Sequence, residues 1–226
     1  MGAALGHRRL KDRARRVTTT NVQQTYRDRP DPAGFVDGYF AYLTKILAQI
    51  DRDSVAAFIR ELERARTNGA TVFFCGNGGS AATSSHFQND LTRWRTEPMR
   101  VVSLTDNVAV ITALANDYGY EHVFVMQLEP LLREGDVLVV ISASGNSPNV
   151  VRAVEFARQR KAVTAALTGF DGGQVGALCD IHVNVPCVHG EYGPVEDLHM
   201  IVDHVVMSYL WEKWSSEGEQ RTHPYA

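Results

Sequence analysis

Ala70-Thr71-Val72-Phe73-Phe74-Cys75-Gly76-Asn77-Gly78-Gly79-Ser80 decides the fold. A β-type run of branched and aromatic residues ends at a glycine-rich break, and a helix-like stretch over 81–94 follows. A strand that stops at glycines and re-enters as a helix aims backbone N–H groups and the positive helix end at one point, which suits a phosphate. A plain βα turn, with glycines present only to allow positive φ, fits the same residues. No Lys-Ser/Thr follows the glycines, which argues against a nucleoside-triphosphate P-loop. Gly76-Asn77-Gly78-Gly79-Ser80-Ala81 carries only the first half of the dinucleotide-binding G-x-G-x-x-G.

A second polar loop stands in the same context. Asp136-Val137-Leu138-Val139-Val140-Ile141 reads as a buried strand, and Ser142-Ala143-Ser144-Gly145-Asn146-Ser147-Pro148 follows it. Pro148 suits a first helical turn and Ser147 an N-cap, so this loop also opens a helix. Ser142, Ser144 and Ser147 can donate hydrogen bonds without adding charge, as a site for a phosphate monoester that must later leave would require. A Ser147 that only caps its helix is the simpler alternative.

Around these loops, helices and strands alternate. Strands are expected near 70–75, 100–104, 136–141, 163–167 and 181–185. Helices are expected over 35–50, 53–68, 81–94, 107–115, 121–132, 148–159, 172–178 and 195–214. The pattern predicts an α/β fold: a three-layer, doubly wound, flavodoxin-like sheet of about five parallel strands with additional N-terminal helices. Ligands of such sheets sit beyond the carboxyl ends of the strands, where both polar loops lie.

Composition bounds the function. A chain of 226 residues is long enough for one domain with a proper core. The expected organisation is a basic, flexible extension over 1–34, a single domain over 35–215 and a tail over 216–226. No apolar run approaches the length of a membrane span, and no signal-peptide segment opens the chain, so a cytoplasmic protein without membrane partners is expected. Three cysteines, an odd number, read as reduced core residues rather than a disulfide framework. Residues 1–29 hold eight Lys/Arg against two Asp/Glu, whereas the remainder holds fifteen against twenty-four. The basic stretch lacks interleaved aromatics and reads as a solvated tail, so no nucleic-acid partner is expected.

Chemistry should come from the helices leaving the loop edge. His86 and Asp90 stand at i and i+4, share a face and can reach one ligand or one metal ion, although a surface His–Asp contact would place them the same way. The last helix carries Glu196, His199, Asp203 and His204 within nine residues beside an apolar stripe. Glu196 and His199 lie one turn apart, while His204 lies about 80° round from Glu196, so these groups need not all face one point. One of the two histidines can be purely structural.

Together, Gly76-Asn77-Gly78-Gly79-Ser80-Ala81-Ala82, His86-Phe87, Leu114-Ala115-Asn116-Asp117-Tyr118-Gly119, Ser142-Ala143-Ser144-Gly145-Asn146-Ser147, Leu167-Thr168-Gly169-Phe170-Asp171-Gly172-Gly173 and Glu196-Asp197-Leu198-His199-Met200 resemble the sugar-isomerase (SIS) domain proteins, specifically phosphoheptose isomerases. The resemblance spans roughly residues 35–214. It implies isomerisation of sedoheptulose 7-phosphate to a heptose 7-phosphate in a homotetramer with sites between subunits, often with zinc. On that resemblance Ser80, Ser142, Ser144 and Ser147, with Asn77, Gly78 and Gly79 beside them, bind phosphate. Asn116 and Asp117 bind sugar hydroxyls, and Glu196 is a further substrate contact. His86, Asp90, Glu196 and His204 fall where the family's metal ligands stand, and Asp90 and His204 where its acid/base pair stands.

The chain departs from the family pattern in four places. Asp90 replaces the usual glutamate and is shorter by one methylene. Glu196 replaces a glutamine and adds a negative charge. Ala143 replaces a threonine between the serines, and Val188-His189-Gly190-Glu191-Tyr192-Gly193-Pro194 lacks the usual polar residues. Two alternatives follow: an isomerase for another ketose phosphate in a specialised sugar pathway, or a non-catalytic SIS-domain regulator resembling the replication-initiator-associating factor. Retention of His86, Asp90, Glu196 and His204 argues against the regulator.

Overall fold

A computed structural model describes residues 19–93 and 98–218. Five strands, β1 (Thr71–Gly76), β2 (Arg100–Ser103), β3 (Val137–Ser142), β4 (Val163–Gly169) and β5 (Ile181–Val185), form one parallel sheet in the order β2-β1-β3-β4-β5. Val72 pairs with Val101 on one side and Val137 on the other, Val137 pairs with Val163, and Leu167 pairs with Val183. From β1 the chain winds one way to β2, then returns past β1 to β3 and continues the other way. The winding therefore reverses between β1 and β3, and their carboxyl ends frame the crevice where such sheets bind ligands. The expected three-layer α/β sheet is the one observed.

Strand side chains alternate between two cores because successive residues point to opposite faces. Val72 and Phe74 join one core with α2 (Pro32–Leu47), α3 (Arg52–Thr67), α4 (Gly79–Leu91) and α9 (Tyr192–Ser216). Phe73 and Cys75 join the other with α7 (Pro148–Gln159) and α8 (Gly173–Leu178). Phe87 fixes α4 in the first core: it stacks on Phe74, with centroids 4.8 Å apart, and meets Phe58 edge-on at 6.0 Å.

Three elements differ from the periodic reading. The helix expected over 121–132 is broken. α5 (Val108–Tyr118) runs longer than expected and ends at Gly119, whose φ is 90°. A 3-10 turn, Tyr120–His122, and a single helical turn, α6 (Val125–Leu128), follow before Pro130, which lacks an N–H to continue the ladder. The apolar spacing there reflects Val123, Phe124 and Leu128 being buried against the second core rather than one continuous helix.

α9 starts at Tyr192 rather than 195, because Pro194 is in the first turn, where no intrahelical N–H is required. Within the segment read as a basic extension, residues 21–28 form α1 (Asn21–Asp28), opened by a capping box of Thr20 and Gln23. The buried carboxylate of Glu191 ties α1 down by accepting the Val22 N–H at 3.2 Å, the Asn21 N–H and the Tyr42 hydroxyl. Residues 1–18 and 219–226, which hold most of the extension and tail, lie outside the described residues, as does Trp94 at the end of the expected 81–94 helix.

No helix among the described residues is long and apolar enough to cross a membrane. The three cysteines are unpaired thiols.

Candidate active site

The crevice between β1 and β3 holds a pocket of about 110 Å³ whose polar lining includes Asn77, Ser80, Ser142, Ser144, Ser147 and Glu196. Each arrives for a local reason. Gly78 caps α4 at φ 57° and ψ −124°, a conformation that a side chain would strain. Gly79 lets two elements touch: a Cβ there would stand 2.3 Å from Glu196 Oε2. These two glycines bring the α4 N-terminus, with Ser80 in its first turn, against the last helix. Across the crevice, Ser147 opens α7 with Pro148 in the first turn, yet the Ser147 side chain makes no capping bond. The capping alternative is therefore not the arrangement seen, and the hydroxyl stands at the pocket wall.

The oxygens of Ser142 and Ser144 accept the N–H groups of Gly145 and Asn146 at 3.2 and 3.3 Å, which fixes the loop while leaving both hydroxyl hydrogens available. Among the described residues no Lys or Arg lines the pocket, and those that do line it offer neutral donors and two helix N-termini.

Asn77 has a second task that local sequence reading does not reveal. Its amide exchanges hydrogen bonds with Asn149 at 3.0 and 2.9 Å, and Tyr120 donates to the Asn77 oxygen at 2.8 Å. This pairing ties the first polar loop to the first turn of α7 across the crevice. Its only signal in the sequence is a polar Asn149 at a position of the first turn of α7 that falls on the helix's buried face.

A second cluster lies farther along α9. His86, Asp90 and His204 bring one ligand atom each within 4.8 Å of one another. His86 Nε2 lies 3.2 Å from His204 Nε2 and 3.4 Å from Asp90 Oδ2. The i, i+4 geometry of α4 thus meets α9 at the expected histidine. Asp203, beside His204, lies outside that group: it is fully buried, neither carboxylate oxygen has a hydrogen-bond partner among the described residues, and Oδ2 lies 4.0 Å from His86 Nε2. Burial pushes the Asp203 carboxyl up to about 8, with the nearby Asp90 charge adding to the shift. Two imidazoles and carboxylates are suitable donors for a divalent ion such as zinc, and an unpartnered buried carboxylate is the group that a cation would satisfy. The residues fit a metal.

The other candidates are placed elsewhere. Glu196 is not in the His86–Asp90–His204 group; eight residues before His204, it stands about 12 Å away along the helix axis, in the serine pocket. Burial there, with neighbouring Asp197 adding to it, raises its carboxyl above the ordinary range. His199 is fully buried and donates from Nε2 to the Thr168 carbonyl at 3.0 Å, and burial pushes its imidazole down to about 4. It is a neutral core residue, the structural histidine of the pair. Asn116 and Asp117 are exposed at the end of α5, where the Asn116 amide donates to Asp117 at 2.8 Å, and neither lines the serine pocket.

A phosphate-type cradle at the topological switch point, with an imidazole–carboxylate cluster two turns along the same helix, defines a sugar-phosphate-processing α/β domain. The SIS domain family matches residues 38–169, and the chain belongs to that family. It is similar to the phosphoheptose isomerase of Nitratidesulfovibrio vulgaris, with 41% identity over 157 residues that cover 68% of this chain and 74% of that protein. It is also similar to the phosphoheptose isomerase of Aliarcobacter butzleri, with 42% identity over 146 residues that cover 63% and 76%. The structure of phosphoheptose isomerase GmhA from Neisseria gonorrhoeae superimposes with a TM-score of 0.72 at 34% identity, over 78% of this chain and 97% of that one.

Proposed function

We propose that this chain is an aldose–ketose isomerase that interconverts sedoheptulose 7-phosphate and an aldoheptose 7-phosphate, D-glycero-D-manno-heptose 7-phosphate or a stereoisomer. The observation that carries this reading is the convergence of His204 and Asp90 on His86 Nε2, at 3.2 and 3.4 Å, in a fold whose switch point carries a serine cradle.

The cradle holds the phosphate through Ser80, Ser142, Ser144, Ser147 and the N–H groups of the two helix ends. At the carbonyl end, the reaction moves one proton between C1 and C2. Asp90 takes the proton from C1 of the ketose, the electron pair forms the C1–C2 double bond of an enediol, and His204 protonates the C2 oxygen. Return of the carbon-bound proton to C2, with loss of the O1 proton to His204, gives the aldose. His86, Asp90 and His204 would hold a divalent ion, zinc by its ligand types, which polarises the carbonyl when bound.

The working form is a homo-oligomer, a tetramer by family resemblance, with sites completed between subunits and Asn116 and Asp117 binding sugar hydroxyls. Support for an apolar subunit contact comes from a groove of about 460 Å³ beside His204, lined by Leu47, Ile50, Val55, Ile59, Ile201 and Val205. Unpaired thiols fit a reducing cytoplasm.

One observation keeps a second substrate class in play: Tyr192, from the loop that departs from the family pattern, borders the cradle and packs edge-on against Phe170 at 5.3 Å. Another ketose phosphate would fit a pocket reshaped there. Proton NMR in deuterated buffer with sedoheptulose 7-phosphate, with and without zinc, tests the assignment. New aldose signals and deuterium at C2 are expected. Silence with this substrate and turnover of a different ketose phosphate would support the second class, while silence across a ketose-phosphate panel would overturn the isomerase.

Glu196→Gln gives a further prediction. The wild-type carboxylate faces a site for a dianion, so replacing it with the neutral amide is expected to lower KM about fivefold, about 1 kcal/mol, the repulsion of unit charges about 4 Å apart at a water-like dielectric. Steady-state kinetics check this, and an unchanged or raised KM would place Glu196 on the sugar rather than near the phosphate.

A further inference from the structure

We propose that the hydroxyl of Tyr192 donates a hydrogen bond to the substrate phosphate, as the side-chain donor that the α9 wall offers to the cradle. Its role rests on the phosphate-binding reading of the serine cradle, and it is the same for any ketose phosphate.

The cradle has three sides. The start of α4 brings Ser80, and the loop after β3 brings Ser142, Ser144 and Ser147. Between Ser142 and Ser144 the wall is the methyl group of Ala143, which donates nothing. Asn77 also lines the pocket, but its amide is engaged with Asn149 and Tyr120. The third side is α9, which contributes Tyr192 and Glu196. An ionised carboxylate accepts hydrogen bonds without donating any, and it repels a dianion. A phosphate that meets this wall is therefore opposed by Glu196 unless Tyr192 donates to it.

The Tyr192 hydroxyl is free for that task. It has no hydrogen-bond partner among the described residues, and Tyr192 is 47% exposed. Three tyrosines around the same end of the fold have theirs occupied: Tyr39 donates to Asp197 at 2.6 Å, Tyr42 to Glu191 and Tyr120 to Asn77 at 2.8 Å.

The ring that carries the hydroxyl is held in place. Tyr192 is the first residue of α9, and its ring stands edge-on to Phe170, with centroids 5.3 Å apart and planes at 83°. His189 packs on the same phenylalanine at 4.8 Å. Phe170 follows β4 directly and is buried at φ 56°, a left-handed conformation that a bulky residue keeps only where its surroundings impose it. Its carbonyl accepts the Asn184 amide at 3.2 Å. The fold thus holds an aromatic ring in a strained backbone position, and that ring backs Tyr192. A donor positioned in this way loses little side-chain freedom when the phosphate arrives.

The test uses inorganic phosphate and sedoheptulose 7-phosphate as probes, each titrated into the full chain and followed by phosphorus NMR at fixed pH. Tyr192→Phe keeps the ring and its contact with Phe170 and removes only the hydroxyl. It is expected to weaken both ligands by a similar factor, about tenfold, as for a hydrogen bond to a charged group, with the Tm of the free protein unchanged. Weakening confined to sedoheptulose 7-phosphate would put the hydroxyl on the sugar, and unchanged binding of both ligands would leave Tyr192 as a plain wall; either result overturns the proposal. A wild type that does not bind inorganic phosphate would overturn the cradle, and the role of Tyr192 with it. Binding of both ligands without turnover of any ketose phosphate would remove the isomerase assignment alone, and the tenfold loss in Tyr192→Phe would still establish the donor.

Discussion

His204→Ala should lower kcat/KM for the isomerase reaction about 1,000-fold, about 4 kcal/mol of transition-state stabilisation. The imidazole is exposed, 3.2 Å from His86 and on the helix that also carries the cradle residue Glu196, so it can reach a bound sugar without rearrangement of the core. On the proposed mechanism its removal takes away the group that serves both oxygens and one metal donor, but it leaves the serine loops untouched. Binding of a phosphosugar, followed by thermal shift, should therefore survive the loss of turnover. A rate within tenfold of wild type would remove His204 from the mechanism, and loss of phosphosugar binding would mean that the two clusters are not independent.

Phe87→Ala should destabilise the fold by about 3–5 kcal/mol, the usual cost of emptying a buried aromatic site. Phe87 is fully buried between Phe74 of β1 and Phe58 of α3, and it joins α4 to the sheet. His86 and Asp90 flank it on α4, so slack in this helix also spreads the His86–Asp90–His204 separations. Urea unfolding should show the lost stability, and chelator competition should show weaker zinc binding in the protein that remains folded. A loss under about 1 kcal/mol would mean that α4 is held chiefly by α9. That outcome would move attention to the contacts around Asp203.

The family assignment was legible because its carriers are local. Gly78 and Gly79 must be glycine for reasons of backbone conformation and close approach, and such requirements appear as a motif in consecutive residues. Ser147-Pro148 likewise marks a helix start by itself. The division of β1 into Val72 and Phe74 on one face, Phe73 and Cys75 on the other, follows from strand alternation.

The candidate site was legible only in part. His86 with Asp90 is a spacing on one helix, but which residue of α9 meets them depends on how α9 crosses α4, and helical spacing carries no such information. The sequence alone determined the parallel α/β order, the two phosphate-type loops and the i, i+4 pair, because each depends on residues within a few positions of one another. Tertiary structure decided that Glu191 anchors α1, that Asn77 is paired with Asn149, that Glu196 faces the cradle and that Asp203 lies buried and unpartnered beside His86. Each of those facts is a meeting of side chains tens of residues apart, except for the direction of α9, where packing against α4 selects which side of a continuous helix becomes interior.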